Sequence, residues 1–275
     1  MKKDRYLILE LANSHNGSVN QIFSLLNKLD NFKNQNIGLK FQIISKDFLS
    51  LKNFKWYPVY QKLYFSRPIW KKIINKALTK EANIWIDIFD VYGVQILKDN
   101  FKKIYGIKLQ SSVLYNNELL SAINQLNLKR KKIIINVAGY DYKEIFDLSK
   151  KFTSIFKSKP ILQLGFQNFP TQDKYIHINK ISFLKKLKND YEISFADHVG
   201  YKDKNFLNLP LLAYQLNYKY VEKHICLNRK TSKYDYVSAA EPKDLNKILY
   251  LIKKNKKMKI KEFKKYYRND FISSA

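Results

Sequence analysis

The stretch Glu192-Ile193-Ser194-Phe195-Ala196-Asp197-His198 and its successor Lys219-Tyr220-Val221-Glu222-Lys223-His224 decide the fold. Each is a short apolar run with a carboxylate and a histidine at or near its end. β-Branched and aromatic residues in runs this short read as buried strands. Polar chemistry gathered at the carboxyl ends of such strands is how barrels of parallel strands build their active sites. Working outward, six more runs share the pattern, at 6–10, 37–42, 83–88, 104–109, 132–137 and 160–165; with 191–196 and 219–223 they make eight. Segments with helical periodicity lie between most of them, for example at 21–29, 69–80 and 206–214, and a helix is predicted at 242–253. Strands alternating with helices predict parallel pairing. Eight such units in 275 residues predict an α/β fold, a (β/α)8 TIM barrel in a single domain, spanning 1–252 and followed by a basic tail at 253–275. A doubly wound open sheet is the competing architecture, but glycine numbers only seven and no Gly-x-Gly-x-x-Gly turn is present.

Composition bounds the function. Hydrophobic residues make up 45% and aromatics 15%, enough for a large core. No apolar run approaches the roughly 18 residues of a membrane span. The opening Met1-Lys2-Lys3-Asp4-Arg5 leads into an apolar run too short for a signal-peptide core. The one cysteine, Cys226, excludes an internal disulfide and a multi-cysteine metal site. A soluble, cytoplasmic protein without a membrane partner is expected. The net charge of +28 raises nucleic acid as a partner. The excess is almost all lysine, however, scattered along the chain, with arginine only at 5, 67, 130, 229 and 268. Nucleic-acid sites favour arginine for its fork geometry, so nucleic acid is not the expected partner. A positive field would still attract an anionic substrate.

The interval 43–82 is long for a strand-to-strand connection. It carries Trp56-Tyr57-Pro58 and Arg67-Pro68-Ile69-Trp70, and is expected to cross the barrel mouth before the helix at 69–80.

Two sets of residues carry candidate chemistry. His198 and His224, on consecutive predicted strands and each near a carboxylate, form a candidate metal pair. Two neutral imidazoles leave open positions for water and substrate oxygens, as a Lewis acid requires, and imidazole suits Mn, Fe or Zn. Asp197 and Glu222 would orient ligand rings or bind substrate hydroxyls. The plainer reading is that each histidine caps a strand and bonds backbone. The second set is Lys40 and Lys108, each inside an apolar run. A lysine there either snorkels to the surface or points inward. An unpaired buried ammonium is costly, so an inward lysine implies an anionic ligand, phosphate or carboxylate. Glu10, Gln42, Ser111 and Asp235 are further polar candidates.

In chain order these motifs resemble a known family. Glu10-Leu11-Ala12-Asn13-Ser14-His15-Asn16-Gly17 resembles A-E-I-G-x-N-H-N-G, and Leu39-Lys40-Phe41-Gln42 resembles V-K-F-Q. Lys108-Leu109-Gln110-Ser111 with Asn117-Glu118-Leu119-Leu120 is similar to K-I-x-S and N-x-x-L-L. Ala196-Asp197-His198-Val199-Gly200 resembles S-D-H-T-x-G, and Val221-Glu222-Lys223-His224 with Arg229 resembles I-E-K-H-F-T-L-D-R. Asp235-Tyr236-Val237-Ser238 and Pro242 are similar to D-H-x-x-S and its proline. These are landmarks of the sialic acid synthase family (N-acetylneuraminate, legionaminate and pseudaminate synthases and spore-coat relatives).

The resemblance implies a TIM barrel that condenses phosphoenolpyruvate with an amino-sugar acceptor, an N-acetylhexosamine-type aldose. The product would be a sialic-acid-like nonulosonate, with phosphate released. It implies His198 and His224 as ligands of a divalent metal, Mn2+ first, with Mg2+ or Co2+ as alternatives. Lys40, Lys108 and Ser111 would hold phosphoenolpyruvate, with Gln167 standing at the N-x-Y-P motif. Glu10, Gln42, Glu222 and Asp235 would contact the sugar or handle protons; Asp197, beside His198, completes the catalytic set.

Several positions depart from the family pattern. Its S-T-P-F-D is here Ile86-Asp87-Ile88-Phe89-Asp90, so that Asp87 replaces a phosphate-contacting threonine and would repel phosphate unless protonated or turned away. Ala196 replaces a serine, Phe169 a tyrosine, and Val137-Ala138-Gly139-Tyr140 stands for S-T-G-M. Family members carry a C-terminal antifreeze-like domain that reaches into a dimer partner's site. This chain ends at Ala275 without it, so the expectation is that a separate protein supplies the lid, or that the substrate differs, or that the site no longer performs the condensation; a homodimer and a separate antifreeze-like lid protein are the candidate partners. The alternative is a catalytically weak or inactive sugar- and metal-binding homologue in a surface-glycan pathway.

Overall fold

The computed structural model describes residues 5–46, 50–165, 170–171 and 187–254. Eight strands close into a barrel: β1 Tyr6–Glu10, β2 Ile37–Ile43, β3 Asn83–Ile88, β4 Ile104–Leu109, β5 Lys132–Asn136, β6 Ile161–Leu164, β7 Ile193–Asp197 and β8 Tyr220–His224. They are hydrogen-bonded in chain order, every neighbouring pair parallel, with β8 closing on β1. The predicted (β/α)8 TIM barrel is therefore the observed fold, and each predicted run coincides with a strand to within a few residues.

Alternation along the strands divides the side chains into two sets. Leu7, Leu9, Leu39, Ile84, Ile86 and Phe195 face the surrounding helices and join one large apolar layer. Tyr6, Ile8, Trp85, Ile134, Ile161 and Tyr220 face inward and form a second, separate apolar cluster in the barrel interior. The polar interior residues Glu10, Lys40, Asp87, Lys108, Gln163 and Glu222 follow at alternate positions toward the carboxyl ends.

The helices are α1 Val19–Lys28, α2 Tyr57–Leu63, α3 Arg67–Leu78, α4 Val91–Asp99, α5 Asn117–Asn124, α6 Tyr142–Phe156, α7 Leu209–Gln215 and α8 Pro242–Lys254. Local chemistry starts several of them. Ser18 caps α1, Asp90 accepts from the Tyr92 and Gly93 N–H groups at α4, and Asp141 and Glu144 form a capping box at α6. Helix α3 begins two residues before the predicted start because Pro68 suits the first helical turn. Helix α7 begins later than the 206–214 periodicity for the same reason, with Pro210 in its first turn. Helix α8 runs through Lys254, and the remainder of the predicted tail, 255–275, lies outside the described residues. None of the described helices is long and apolar enough to cross a membrane.

Trp85 fills the barrel interior because its neighbours on both sides are glycine. A Cβ on Gly38 of β2 would lie 2.6 Å from the indole, and one on Gly106 of β4 would lie 2.5 Å from it. The Trp85 indole N–H donates to the Tyr6 hydroxyl at 3.0 Å, fixing the ring. Gly38→Ala or Gly106→Ala overpacks this layer and is expected to cost about 1–3 kcal/mol. Urea unfolding followed by near-ultraviolet circular dichroism checks this; an unchanged midpoint in both variants contradicts the packing described.

Candidate active site

The interior residues at the carboxyl ends of β1 to β4 and β8 form a buried ionic cluster centred on Lys40. Its ammonium lies 2.7 Å from Glu222 Oε2, 3.0 Å from Asp87 Oδ2 and 3.1 Å from Glu10 Oε2. The Lys108 ammonium lies 2.7 Å from Glu222 Oε1 and 3.8 Å from Asp87 Oδ2. Gln163 donates to Glu222 Oε2 at 3.1 Å and to Ser194 Oγ at 3.2 Å, and Gln110 donates to Asp87 Oδ2 at 3.0 Å. All five ionisable side chains are buried.

Both lysines point inward rather than snorkelling. Beside both ammonium groups stand carboxylates of the chain itself. Asp87 is not turned away: it accepts from Lys40 at 3.0 Å and faces Lys108 at 3.8 Å. Two ammonium groups meet three carboxylates here, and the excess negative charge shapes the titration. Burial pushes Asp87 up to about 6 against the pull of Lys40 and Lys108, with Glu10 and Glu222 adding to the rise. Burial also opposes ionisation of Glu10, but Lys40, Lys108 and His224 outweigh it and hold its carboxyl well below the usual range. Burial disfavours the Lys40 ammonium, yet its three carboxylates raise it overall.

A second tier lies at the rim. Glu10 Oε2 is 3.2 Å from His224 Nε2. Gln42 donates to Glu10 Oε1 at 2.9 Å, Asn13 Nδ2 donates to Gln42 Oε1 at 3.0 Å, and the Asn13 backbone N–H donates to Asp235 Oδ2 at 3.0 Å. This chain of bonds joins the buried cluster to Asp235, which has a left-handed φ of 51°. Asp235 lines a cavity of about 330 Å³ together with Trp56, Tyr60, Leu63 and Val237, so the 43–82 excursion does reach the mouth. The His198 and His224 rings stand edge to face, with centroids 5.0 Å apart. Burial lowers the basicity of His224, but Glu10 more than offsets this and leaves it raised. Ser111 opens the turn after β4, half-buried, and its carbonyl accepts from the Tyr140 hydroxyl at 3.1 Å.

Not every predicted residue joins the site. Asp197 sits one position off the inward pleat of β7 and makes a 3.0 Å ion pair with Lys223 of β8, which is likewise one position off from Glu222. The Lys223 ammonium stands over the Phe206 ring of the outer apolar layer, 4.0 Å from its centroid. The assignment of Asp197 to the catalytic set is therefore corrected: its carboxylate faces the helices, and it accepts from the Val199 N–H at 3.0 Å, shaping the turn that presents His198. Gln167 lies outside the described residues. His15 accepts from the Gly17 N–H at 3.0 Å and packs on Phe65, a structural role in the first loop.

Gln110, Gln163 and Asn13 were not singled out from the sequence. Gln110 and Gln163 carried a usable signal, since each follows the inward period of its strand, as Lys108 does. Asn13 carried none, because a loop has no period.

Among the described residues no group of three or more His, Cys, Asp and Glu side chains is already assembled to hold a metal. The His198 and His224 rings are nevertheless adjacent, and the Glu10 carboxylate touches His224. Two imidazole nitrogens and a carboxylate oxygen fit a cation of mixed nitrogen and oxygen preference.

Fold and site together define the class: a (β/α)8 barrel whose polar centre lies at the carboxyl ends of its strands. The chain belongs to the NeuB family, whose sequence profile matches residues 27–264. Among solved structures it is similar to a sialic acid synthetase from Leptospira borgpetersenii, with TM-score 0.77 and 22% identity over 91% of this chain and 83% of that one. It is also similar to a putative spore coat polysaccharide biosynthesis protein E from Chromobacterium violaceum, with TM-score 0.75 and 19% identity over 91% and 74%. A third is the Bacillus subtilis spore coat polysaccharide biosynthesis protein spsE, with TM-score 0.74 and 18% identity over 96% and 70%. No protein of curated function matches the chain.

The Asp197–Lys223 pair gives a check on the corrected assignment. Lys223→Met strands a buried carboxylate and is expected to cost about 3–5 kcal/mol. Adding Asp197→Asn should recover much of the loss in thermal or urea unfolding. A double variant no more stable than the single one contradicts the pairing.

Proposed function

We propose that the chain condenses phosphoenolpyruvate with an N-acetylhexosamine-type aldose to form a sialic-acid-like nonulosonate, releasing phosphate. The observation that carries this reading is the convergence of Lys40, Lys108, Glu10 and Glu222 beneath His198 and His224 at one barrel mouth. Family membership supports it independently. His198 and His224 would hold a divalent cation, Mn2+ by preference with Mg2+ or Co2+ as substitutes. Bound there, the cation supplies Lewis-acid polarisation of the acceptor aldehyde.

The side chains then have distinct tasks. Lys40 and Lys108 act as point charges toward the phosphoryl and carboxylate groups of phosphoenolpyruvate. The enol carbon bonds to the aldehyde carbon, positive charge develops at C2, water adds there, and phosphate leaves. Glu222, held between both ammonium groups and Gln163, faces that developing charge. Lys40, Lys108 and His224 hold the Glu10 carboxyl well below the usual range, so it acts as a fixed negative charge in the site. Asp235, at the open end of the hydrogen-bond chain through Asn13 and Gln42, contacts the sugar.

One observation favours a second reading, a weak or inactive sugar- and metal-binding homologue. Asp87 already bonds Lys40, which lessens the positive charge left for a phosphoryl group. Phosphate release decides between them. Purified protein is incubated with Mn2+, phosphoenolpyruvate and N-acetylmannosamine-type sugars, with and without a free antifreeze-like domain. Release is expected, and His198→Ala or His224→Ala should lower it at least 100-fold, about the scale of losing metal-site support. No release with any acceptor overturns the synthase reading and leaves the binding homologue.

A further inference from the structure

The Lys40 ammonium has three protons and three carboxylate partners, at 2.7, 3.0 and 3.1 Å, so its donors are fully used. A phosphoryl group entering beside it brings only acceptors and further negative charge. The cluster already holds three carboxylates against two ammonium groups. Beside Lys40 itself both a donor and a positive charge have to be added; Lys108, hydrogen-bonded only to Glu222 among the described residues, keeps donors of its own.

Asp87 can supply both. Its Oδ2 bonds Lys40 and Gln110, whereas Oδ1 is buried and has no hydrogen-bond partner among the described residues. A buried acceptor without a partner carries a desolvation cost, which a proton there would relieve. That proton turns Oδ1 into a donor and reduces the carboxylates to two, matching Lys40 and Lys108. We propose that a phosphoryl group enters this cluster only together with one proton, shared with Asp87 Oδ1, so that Asp87 makes phosphoenolpyruvate binding proton-linked and sets its pH range.

The surroundings favour Asp87 over Glu10 as the proton's site. Asp87 faces Lys40 of β2, Lys108 and Gln110 of and just after β4, Glu10 of β1 and Glu222 of β8, and burial raises it to about 6. Glu10, touched by Lys40 and His224, is held low. The inference rests on the phosphoenolpyruvate reading above.

Calorimetric titration of the whole chain with phosphoenolpyruvate, and separately with inorganic phosphate, tests it. Titrations are run from pH 5.5 to 8.5 in two buffers of different ionisation enthalpy. At pH 8 the wild type is expected to take up close to one proton per phosphoenolpyruvate. Its affinity should fall roughly tenfold per pH unit above about 6, by proton linkage. Asp87→Asn, which donates without titrating, should bind at least tenfold tighter at pH 8 with little proton uptake. The wild-type proton count stands alone if that variant does not fold. Binding by the wild type with no proton uptake, or with the same uptake in Asp87→Asn, overturns the role of Asp87. No binding by either form at pH 5.5 overturns the phosphoenolpyruvate reading, and this inference with it.

Discussion

The compensation of the Lys40 ammonium inside the barrel is the constraint around which the rest of the site is arranged. A charge taken out of water is tolerated only where opposite charges and hydrogen bonds replace the lost hydration. Lys40 therefore draws carboxylates from β1, β3 and β8, while Lys108 ties β4 to the same Glu222. This network also specifies register. A slip of one residue on β2 would turn Lys40 into the apolar layer beneath the helices and bring Leu39 or Phe41 inside. Buried ion pairs are often no more stabilising than well-packed apolar residues of similar volume. Five buried ionisable side chains in one barrel are thus better explained by chemistry than by stability.

The cluster divides the interior into tiers with separate duties. The apolar layer around Trp85 closes the barrel and needs glycine on both flanking strands to fit. The charged tier above it is buried and sets three carboxylates against two ammonium groups. The rim adds the two histidines and a hydrogen-bonded line from Glu10 through Gln42 and Asn13 to Asp235, where helix α2 and the β8–α8 loop enclose a small cavity. An entering ligand therefore meets Asp235 and the neutral amides of Asn13 and Gln42 before it meets the buried ionic cluster.

Asp87 has a large electrostatic consequence for the site. It places a carboxylate oxygen 3.0 Å from the Lys40 ammonium, and its other oxygen has no hydrogen-bond partner among the described residues. That oxygen links the titration of a single side chain to whatever binds beside Lys40.

Much of the barrel was legible before folding was considered. Strand runs of period two with helices between them report local burial, and burial pattern is a property of sequence. The histidines at 198 and 224 and the lysines at 40 and 108 were equally legible, because polar residues break those runs at identifiable places. The pairing partners were not. The spacing to the histidine carried a signal, since Glu222 lies two residues from His224 and shares its face while Asp197 adjoins His198 and takes the opposite one, but the partner that each carboxylate meets did not. Nor does any local pattern bring Asp87, 47 residues from Lys40, to its ammonium. The sequence by itself determined the barrel and which side chains carry charge. Only the closed tertiary structure decided which charges meet, because those contacts depend on strand register and barrel closure.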